Sequence, residues 1–369
     1  MKKILSLFLL GLLLSSCKKP DNIIRLGLAG VRTGPDGQIG TSMFYGSEIA
    51  IEEWNARGGV LGKKIKAIVR DDEGKPSQAV TVAQDLVANQ ISAIIGHFNS
   101  GCTIPASEIY QQHNILQITP GSTNPQVTER GYQTLFRVCG RDDQQGTMAG
   151  DFAVNQLKAK KIAILHDKTA YGQGLAEEFK RKVETLGAHT VVYAGTAREE
   201  MDFRANLSAV KAAQADALFW GGMYGQGGPL LVQLRQSGSS IPFISGDGSF
   251  MQEFLNAAGN YASETYLTFF PDFKALPSAQ PFLEKYRARY GPEGPYSVYG
   301  YDAVNILLKA IERAGTTDTK IVAKTLHEGS FDTCLGKMTF DAKGDPTKSN
   351  FIIWTVKQNK FVAMPSTNP

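Results

Sequence analysis

Two Gly/Ser/Thr loops carry the residues best suited to chemistry, Asn99-Ser100-Gly101 and Pro120-Gly121-Ser122-Thr123. Each follows a short apolar run, at residues 91–95 and 115–118. The first opens a helical stretch with Pro105 in its first turn, where a missing N–H costs nothing. A loop that ends a buried strand and opens a helix presents unpaired N–H groups and hydroxyls at a positive dipole end, which suits a carboxylate or a phosphate. Taken alone, either loop is also an ordinary strand-to-helix turn. As a pair on consecutive strands they predict convergence on one small anion, because open α/β sheets take ligands at the carboxyl ends of strands.

Enzyme chemistry finds less support. The chain has no G-x-S-x-G, GxxxxGK[ST], H-E-x-x-H or helix-opening G-x-G-x-x-G. His97 and His166 each follow a strand, and His97 lies near Ser100 and Cys102, yet no third group is placed to orient a nucleophile and base. The expectation is a binding protein, not an enzyme, with no cofactor. Neither the five histidines nor the cysteines have metal-ligand spacing. Beyond Cys17, the residues Cys102, Cys139 and Cys334 allow at most one disulfide, in any of three pairings. The 39 basic residues are scattered and the net charge is only +4, so nucleic acid is not an expected partner.

The elements that must position the two loops alternate strand and helix. Residues 23–29, 65–70, 91–95, 115–118 and 132–138 read as strands, with helices from about Ser42, Pro76 and the first loop between them. On the first helix Met43, Ser47, Ala50 and Trp54 form one stripe, closed by Gly58-Gly59. This βα rhythm predicts a parallel sheet with right-handed crossovers. After Gly140-Arg141-Asp142-Asp143 a second βα series of similar size runs to residue 258, with strands at 161–167, 190–194, 217–222 and 241–246. Two α/β sets without a Gly/Ser linker imply two lobes facing a cleft. The remainder, helices at 278–290, 297–314 and 319–327 and a strand pair at 336–341 and 351–356, completes the existing lobes. The length of 369 residues, 42% hydrophobic and 20% charged, suits two soluble domains.

Residues 1–17 form a targeting segment: two lysines, an apolar core too short for a stop-transfer helix, and small residues before Cys17. Leu14-Ser15-Ser16-Cys17 resembles a bacterial lipobox, which implies lipidation of Cys17 and a short tether at 18–22. The folded body is therefore expected outside the cytoplasm, in the periplasm, held to the membrane by lipid alone.

Beyond these features, the strings GSEIAIEEWNARGGVLGKK, RDDEGKPSQAV, IIGHFNSGCTIPASEIY, ITPGSTNPQVTERGYQTLFR, IAILHDKTAYGQGLAEEF and GKMTFDAKGD occur in that order across nearly the whole mature chain. Together they resemble the type I periplasmic substrate-binding proteins of ABC transporters, in the leucine/isoleucine/valine-binding branch. The resemblance implies two Rossmann-like lobes joined by three crossing segments near Arg141, Pro271 and Phe351. Lobe 1 would combine 22–141 with 272–350, and lobe 2 would combine 142–271 with 351–369. It implies capture of a free amino acid, branched-chain or otherwise aliphatic, by lobe closure, and delivery to an ABC permease complex in the inner membrane. A ligand-sensing module of the same fold, or a binder of an amide or urea, is the alternative.

By the same resemblance Ser100 and Thr123 would take the ligand carboxylate, with backbone groups from Gly121 and Ser122. Asp247 would face the ammonium where relatives carry the longer Glu, or else cap a helix. Tyr171 and Tyr301 match cleft-lining tyrosines and could equally be packing. Ile39 and Met223 replace two family tyrosines, so the side-chain pocket is rebuilt. Glu73 and Asn99 occupy the positions of the family's early disulfide, and Cys102, one turn on, is expected to face the cleft.

Overall fold

The computed structural model describes residues 22–365. Cys17, the targeting segment and the tether up to residue 21 lie outside the described residues. The first βα series forms β1 (Ile23–Gly30), α1 (Gly37–Ala56), β2 (Lys64–Asp71), α2 (Pro76–Ala88) and β3 (Ala93–Ile95), then α3 (Ser100–Gln112), β4 (Leu116–Thr119), α4 (Gln126–Glu129) and β5 (Leu135–Arg137). Its five strands pair in parallel in the order β2-β1-β3-β4-β5. Because the chain winds outward from β1 in both directions, the loops after β1 and β3 diverge and leave a crevice at their carboxyl ends.

A second series follows with α5 (Asp142–Asp151), β6 (Lys161–His166), α6 (Ala170–Thr185), β7 (His189–Gly195) and α7 (Arg204–Ala212). It continues with β8 (Ala217–Gly221), α8 (Tyr224–Gln236), β9 (Phe243–Ser245), α9 (Gln252–Ala258) and β10 (Thr265–Phe269). The tail adds α10 (Gln280–Tyr290), α11 (Ser297–Ala314), α12 (Thr319–Glu328), β11 (Phe331–Thr333), β12 (Gly336–Met338), β13 (Ile352–Lys357) and β14 (Lys360–Ala363). The second sheet runs β14-β13-β10-β9-β8-β6-β7, with β13 alone reversed and so antiparallel to both β10 and β14. No helix among the described residues is long and apolar enough to cross a membrane.

The stripe on α1 is buried as its spacing requires: Met43, Ser47, Ala50 and Trp54 are at most 2% exposed. Each large apolar side chain so buried contributes about 1.5–3 kcal/mol. α1 lies along α11 so closely that a Cβ on Gly46 or Gly300 would strike backbone oxygens of the other helix. Trp54 Nε1 then donates to Asn305 Oδ1 at 2.9 Å, tying the late helices to the first sheet.

Four expectations from sequence are corrected. The late strands do not pair with each other: β12 pairs with β11, and β13 pairs with β10 and β14, because tight turns at 334–335 and 358–359 close two local hairpins. The helix after the first loop begins at Ser100, which places Pro105 inside it rather than in its first turn. That proline has no N–H to give the Gly101 carbonyl. The helix expected from about Ser42 begins earlier, at Gly37, and takes in Gly40. Cys102 is fully buried against the core formed by α2 and α3 and does not face the cleft; Cys102, Cys139 and Cys334 are all unpaired and buried.

Candidate functional site

Both Gly/Ser/Thr loops sit at the carboxyl ends of adjacent strands, β3 and β4, and side-chain hydroxyls bind them into one unit. Thr119 Oγ1 donates to the His97 carbonyl at 2.6 Å, and Ser122 Oγ donates to the Phe98 carbonyl at 2.9 Å. Thr103 and Ser122 share a hydrogen bond of 2.6 Å. The Asn124 N–H donates to Ser100 Oγ at 3.2 Å. Phe98 lies so close over Gly121 that a Cβ there would come within 2.5 Å of its ring.

Beneath the second loop Arg137 is fully buried on β5. Its guanidinium donates to the carbonyls of Ser122 at 2.7 Å and Asn124 at 3.1 Å, to Thr128 Oγ1 at 2.6 Å, and to Asp345 Oδ1 at 2.6 Å. Such a charge is tolerated in the interior because every donor face has an acceptor. His97 is likewise consumed structurally, Nδ1 against Asp72 at 2.6 Å and Nε2 against the Tyr110 hydroxyl at 3.1 Å.

Across the cleft the carboxyl ends of β6, β8 and β9 supply Tyr171, Met223 and Asp247. Asp247 Oδ1 accepts from Tyr171 Oη at 2.8 Å and from Gln145 Nε2 at 2.8 Å. Its Oδ2 accepts from the Tyr296 hydroxyl, which belongs to the segment leading into α11 on the opposite side. The Gly248 N–H donates back to Tyr171 Oη at 2.9 Å. Burial raises the Asp247 carboxyl above its ordinary range, and the hydrogen bonds from Tyr296, Gln145 and Tyr171 offset part of that. The hydroxyls of Tyr171 and Tyr296 are driven well up by burial and by the Asp247 charge, so both stay neutral donors.

Further bonds join the two sides. Arg198 bonds Asp36, and its Nη1 donates to the Gly74 carbonyl at 2.6 Å. Tyr224 Oη donates to the Pro35 carbonyl at 2.8 Å, and Asn124 Nδ2 to the Ala170 carbonyl at 2.6 Å. Between these contacts lies a narrow space of about 20 Å³, lined by Phe98, Asn99, Ser100, Gly121, Tyr171, Met223, Asp247 and Gly248.

Ser100, Gly121, Tyr171, Met223 and Asp247, all read from sequence, therefore meet at one place. Ser122 and Thr123 lie directly behind, with the Ser122 hydroxyl engaged by its own loop. Ile39 does not reach the space, being fully buried in the core on α1. Tyr301 does not either: its hydroxyl donates to Glu53 Oε2 at 2.6 Å and its ring packs on Phe282, since the start of α11 turns it toward α1 and α10. Sequence reasoning missed Tyr296, five residues earlier, and Asp142, whose place in an acidic run after β5 reads simply as a helix start. Asp142 is fully buried, and burial together with the neighbouring Asp247 charge raises its carboxyl well above the usual range. No cluster that could hold a metal ion exists among the described residues.

A family model described as periplasmic binding protein matches residues 23–360. The chain belongs to this family. It is 42% identical over 333 residues to an amino acid binding protein of Pseudomonas aeruginosa, covering 89% of each chain. It is also 42% identical over 324 residues to a Leu/Ile/Val-binding protein homolog of Brucella suis, covering 87% of each. Among solved structures, a leucine-binding protein of Thermotoga maritima superposes with a TM-score of 0.87 at 29% identity, over 94% of this chain and 99% of that one. A branched-chain amino acid transporter binding protein of Streptococcus pneumoniae, in complex with isoleucine, gives 0.84 at 27% identity, over 92% and 98%. This periplasmic binding protein thus has the two-lobed α/β architecture of amino-acid binders.

Proposed function

We propose that this chain is the extracytoplasmic substrate-binding component of an ABC transporter, that it captures a free aliphatic amino acid by lobe closure, and that it passes the ligand to an inner-membrane permease. Lipid on Cys17 would hold it to the membrane. Lobe 1 would comprise residues 22–141 and 272–350, and lobe 2 residues 142–271 and 351–369. One observation carries the reading: the Ser100 hydroxyl at the start of α3 and the buried carboxylate of Asp247, from the second sheet's loops, line one small space from opposite sides. A zwitterion leaving water loses strong hydration at both ends, and this arrangement meets each end with groups of the opposite character. The Ser100 hydroxyl and the start of α3 suit the carboxylate; the acidic side suits the ammonium. The names of the relatives point to the same ligand class.

The test is a thermal-shift panel on the full chain in mild detergent, with the twenty amino acids and small amides. A ligand at ~100 times its dissociation constant should stabilise the fold by ~2.7 kcal/mol. Shifts with aliphatic amino acids that disappear in Ser100→Ala support the reading. Shifts with amides alone would replace its ligand, and silence across the panel would overturn it.

A further inference from the structure

The chain enters the fold at one end of the first sheet, and the residues gathered there suit a surface rather than a cleft. The Lys64 N–H donates to the Asn22 carbonyl at 3.2 Å, and Ile23 lies in register with Lys64. Just ahead of Lys64, Val60 and Lys63 exchange N–H to carbonyl bonds of 2.9 Å, closing a two-residue turn of Leu61 and Gly62. Both turn residues have positive φ, 53° and 72°. Such a turn favours Asn-Gly, so a leucine at its tip is locally costly. At 40% exposure Leu61 gains little from burial in the fold. Ile23 beside it is 38% exposed. Around these two apolar side chains, residues 54–66 hold Arg57, Lys63, Lys64 and Lys66 and no carboxylate. Arg57, Lys64 and Lys66 are exposed and Lys63 is half-buried. The acids that precede this stretch on α1, Glu52 and Glu53, bond Arg289 and Lys285 of α10.

We propose that the Leu61 turn and the start of β1 form a footing on anionic phospholipid, with Leu61 and Ile23 entering the headgroup layer and Arg57, Lys63, Lys64 and Lys66 facing lipid phosphates. This rests on the lipid anchor proposed above. Asn22 follows Cys17 by five positions, a span of about 17 Å at full extension, so lipid on Cys17 keeps this end of the fold within that reach of the bilayer. Basic residues around a small apolar tip are the composition that an anionic bilayer holds. Lys18 and Lys19 of the tether add to the attraction, against Asp21 alone. The footing also sets an orientation. The candidate ligand site lies at the carboxyl ends of the first sheet's strands, whereas the Leu61 turn lies at the amino end of β1, a strand of eight residues that spans about 25 Å. A protein standing on this footing holds its cleft away from the membrane that anchors it, toward the ligand in solution. Delivery to a permease in the same membrane then requires it to step off, which a tether with a weak electrostatic foot permits.

The test uses the processed, lipidated protein in vesicles of phosphatidylcholine, alone or with phosphatidylglycerol at about one part in three. Leu61→Cys carries a polarity-sensitive fluorophore, which labels selectively because Cys102, Cys139 and Cys334 are buried. Val362→Cys, exposed on β14 of the other sheet, is the control. In the mixed vesicles the label at 61 should shift to the blue and be quenched by brominated lipid, while the label at 362 stays in water. Lys63→Gln combined with Lys64→Gln should lower the ratio of docked to undocked protein about 25-fold, and neutral vesicles should return the label to water. A label at 61 as wet as the one at 362 overturns the footing. So does immersion that ignores both the lysines and the lipid charge, or that appears only at high protein density, the sign of contact between copies. Flotation with neutral vesicles reports the Cys17 lipid separately. A protein that floats with neither kind of vesicle fails the anchor and the footing together, and one that floats with the mixed kind alone keeps the footing without the lipid.

Discussion

Arg198, on the loop after β7, reaches across the cleft mouth to the carboxylate of Asp36, which stands at the start of α1 on the other sheet. Asp36 is 1% exposed and also accepts from Asn99 Nδ2 at 3.3 Å, so the pair is wired to the loop that carries Ser100. Burial raises the Asp36 carboxyl, and the Arg198 charge offsets part of that. Closure therefore supplies Asp36 with its counter-charge, and opening lets water reach it.

Removing the guanidinium should favour the open form. Arg198 does not line the ligand space, so its effect on the ligand must run through closure. Arg198→Ala is expected to weaken ligand binding about tenfold by depleting the closed state. Small-angle scattering should show a larger radius of gyration for the variant, and Asp36→Asn in the same background should restore part of the affinity. Unchanged scattering and unchanged affinity would show that the pair does not govern closure.

Asp345 is the next point of leverage. It is 3% exposed and accepts from Arg137 Nε at 2.6 Å, Arg141 Nη1 at 2.6 Å and Thr128 Oγ1 at 2.9 Å. Arg137 is fully buried, so Asp345→Ala would leave its charge uncompensated in the interior. The expected loss is about 3–5 kcal/mol of unfolding free energy, read from urea denaturation. Ligand affinity should fall as well, because Arg137 also holds the Ser122 and Asn124 carbonyls. A loss below about 1 kcal/mol would place this network among surface pairs.

How far the sequence revealed this arrangement depends on the range of the signal. The βα rhythm and the buried face of Met43, Ala50 and Trp54 were legible because periodicity is local. The two loops were legible for the same reason, since Ser100 and Thr123 follow consecutive strands. Tyr296 and Tyr301 both sit at the start of one helix, and only tertiary packing decides that the first meets Asp247 and the second meets Glu53. Asp142 is hidden in an acidic run whose neighbour Asp143 is half-buried and bonds Arg141. Arg137 and Asp345 are 208 positions apart, a separation at which pattern carries no information.

The thiols give a direct test of the corrected cysteine state. Cys102, Cys139 and Cys334 are buried and unpaired, and burial pushes each thiol up. A thiol is the weaker nucleophile, so all three should resist an aromatic disulfide reagent in the folded protein and react together on unfolding. Intact-mass measurement after alkylation in denaturant should find all three modified without prior reduction. A missing pair of modifications would mean that two of them are bonded.

Stability should decline as pH rises through mild acidity. Burial raises the carboxyls of Asp167 and Asp302 from 3.8 to about 6, against hydrogen bonds from Thr169 and from the Cys334 and Leu335 N–H groups. Their folded values exceed the unfolded ones, so the folded state holds the proton more tightly and is favoured while they are protonated. The ligand-free melting temperature should fall from about pH 4 to about pH 6 and level off above, each group contributing on the order of 2–3 kcal/mol. At Asp71 and Glu293 burial acts the same way, but hydrogen bonds from Thr33 and Arg287 prevail and lower both carboxyls, so stability should also drop below about pH 4. Asp167→Asn should flatten the fall above pH 4 and leave the acid limb in place. A melting temperature that climbs between pH 4 and 7 would mean that these two carboxyls are not held protonated by burial.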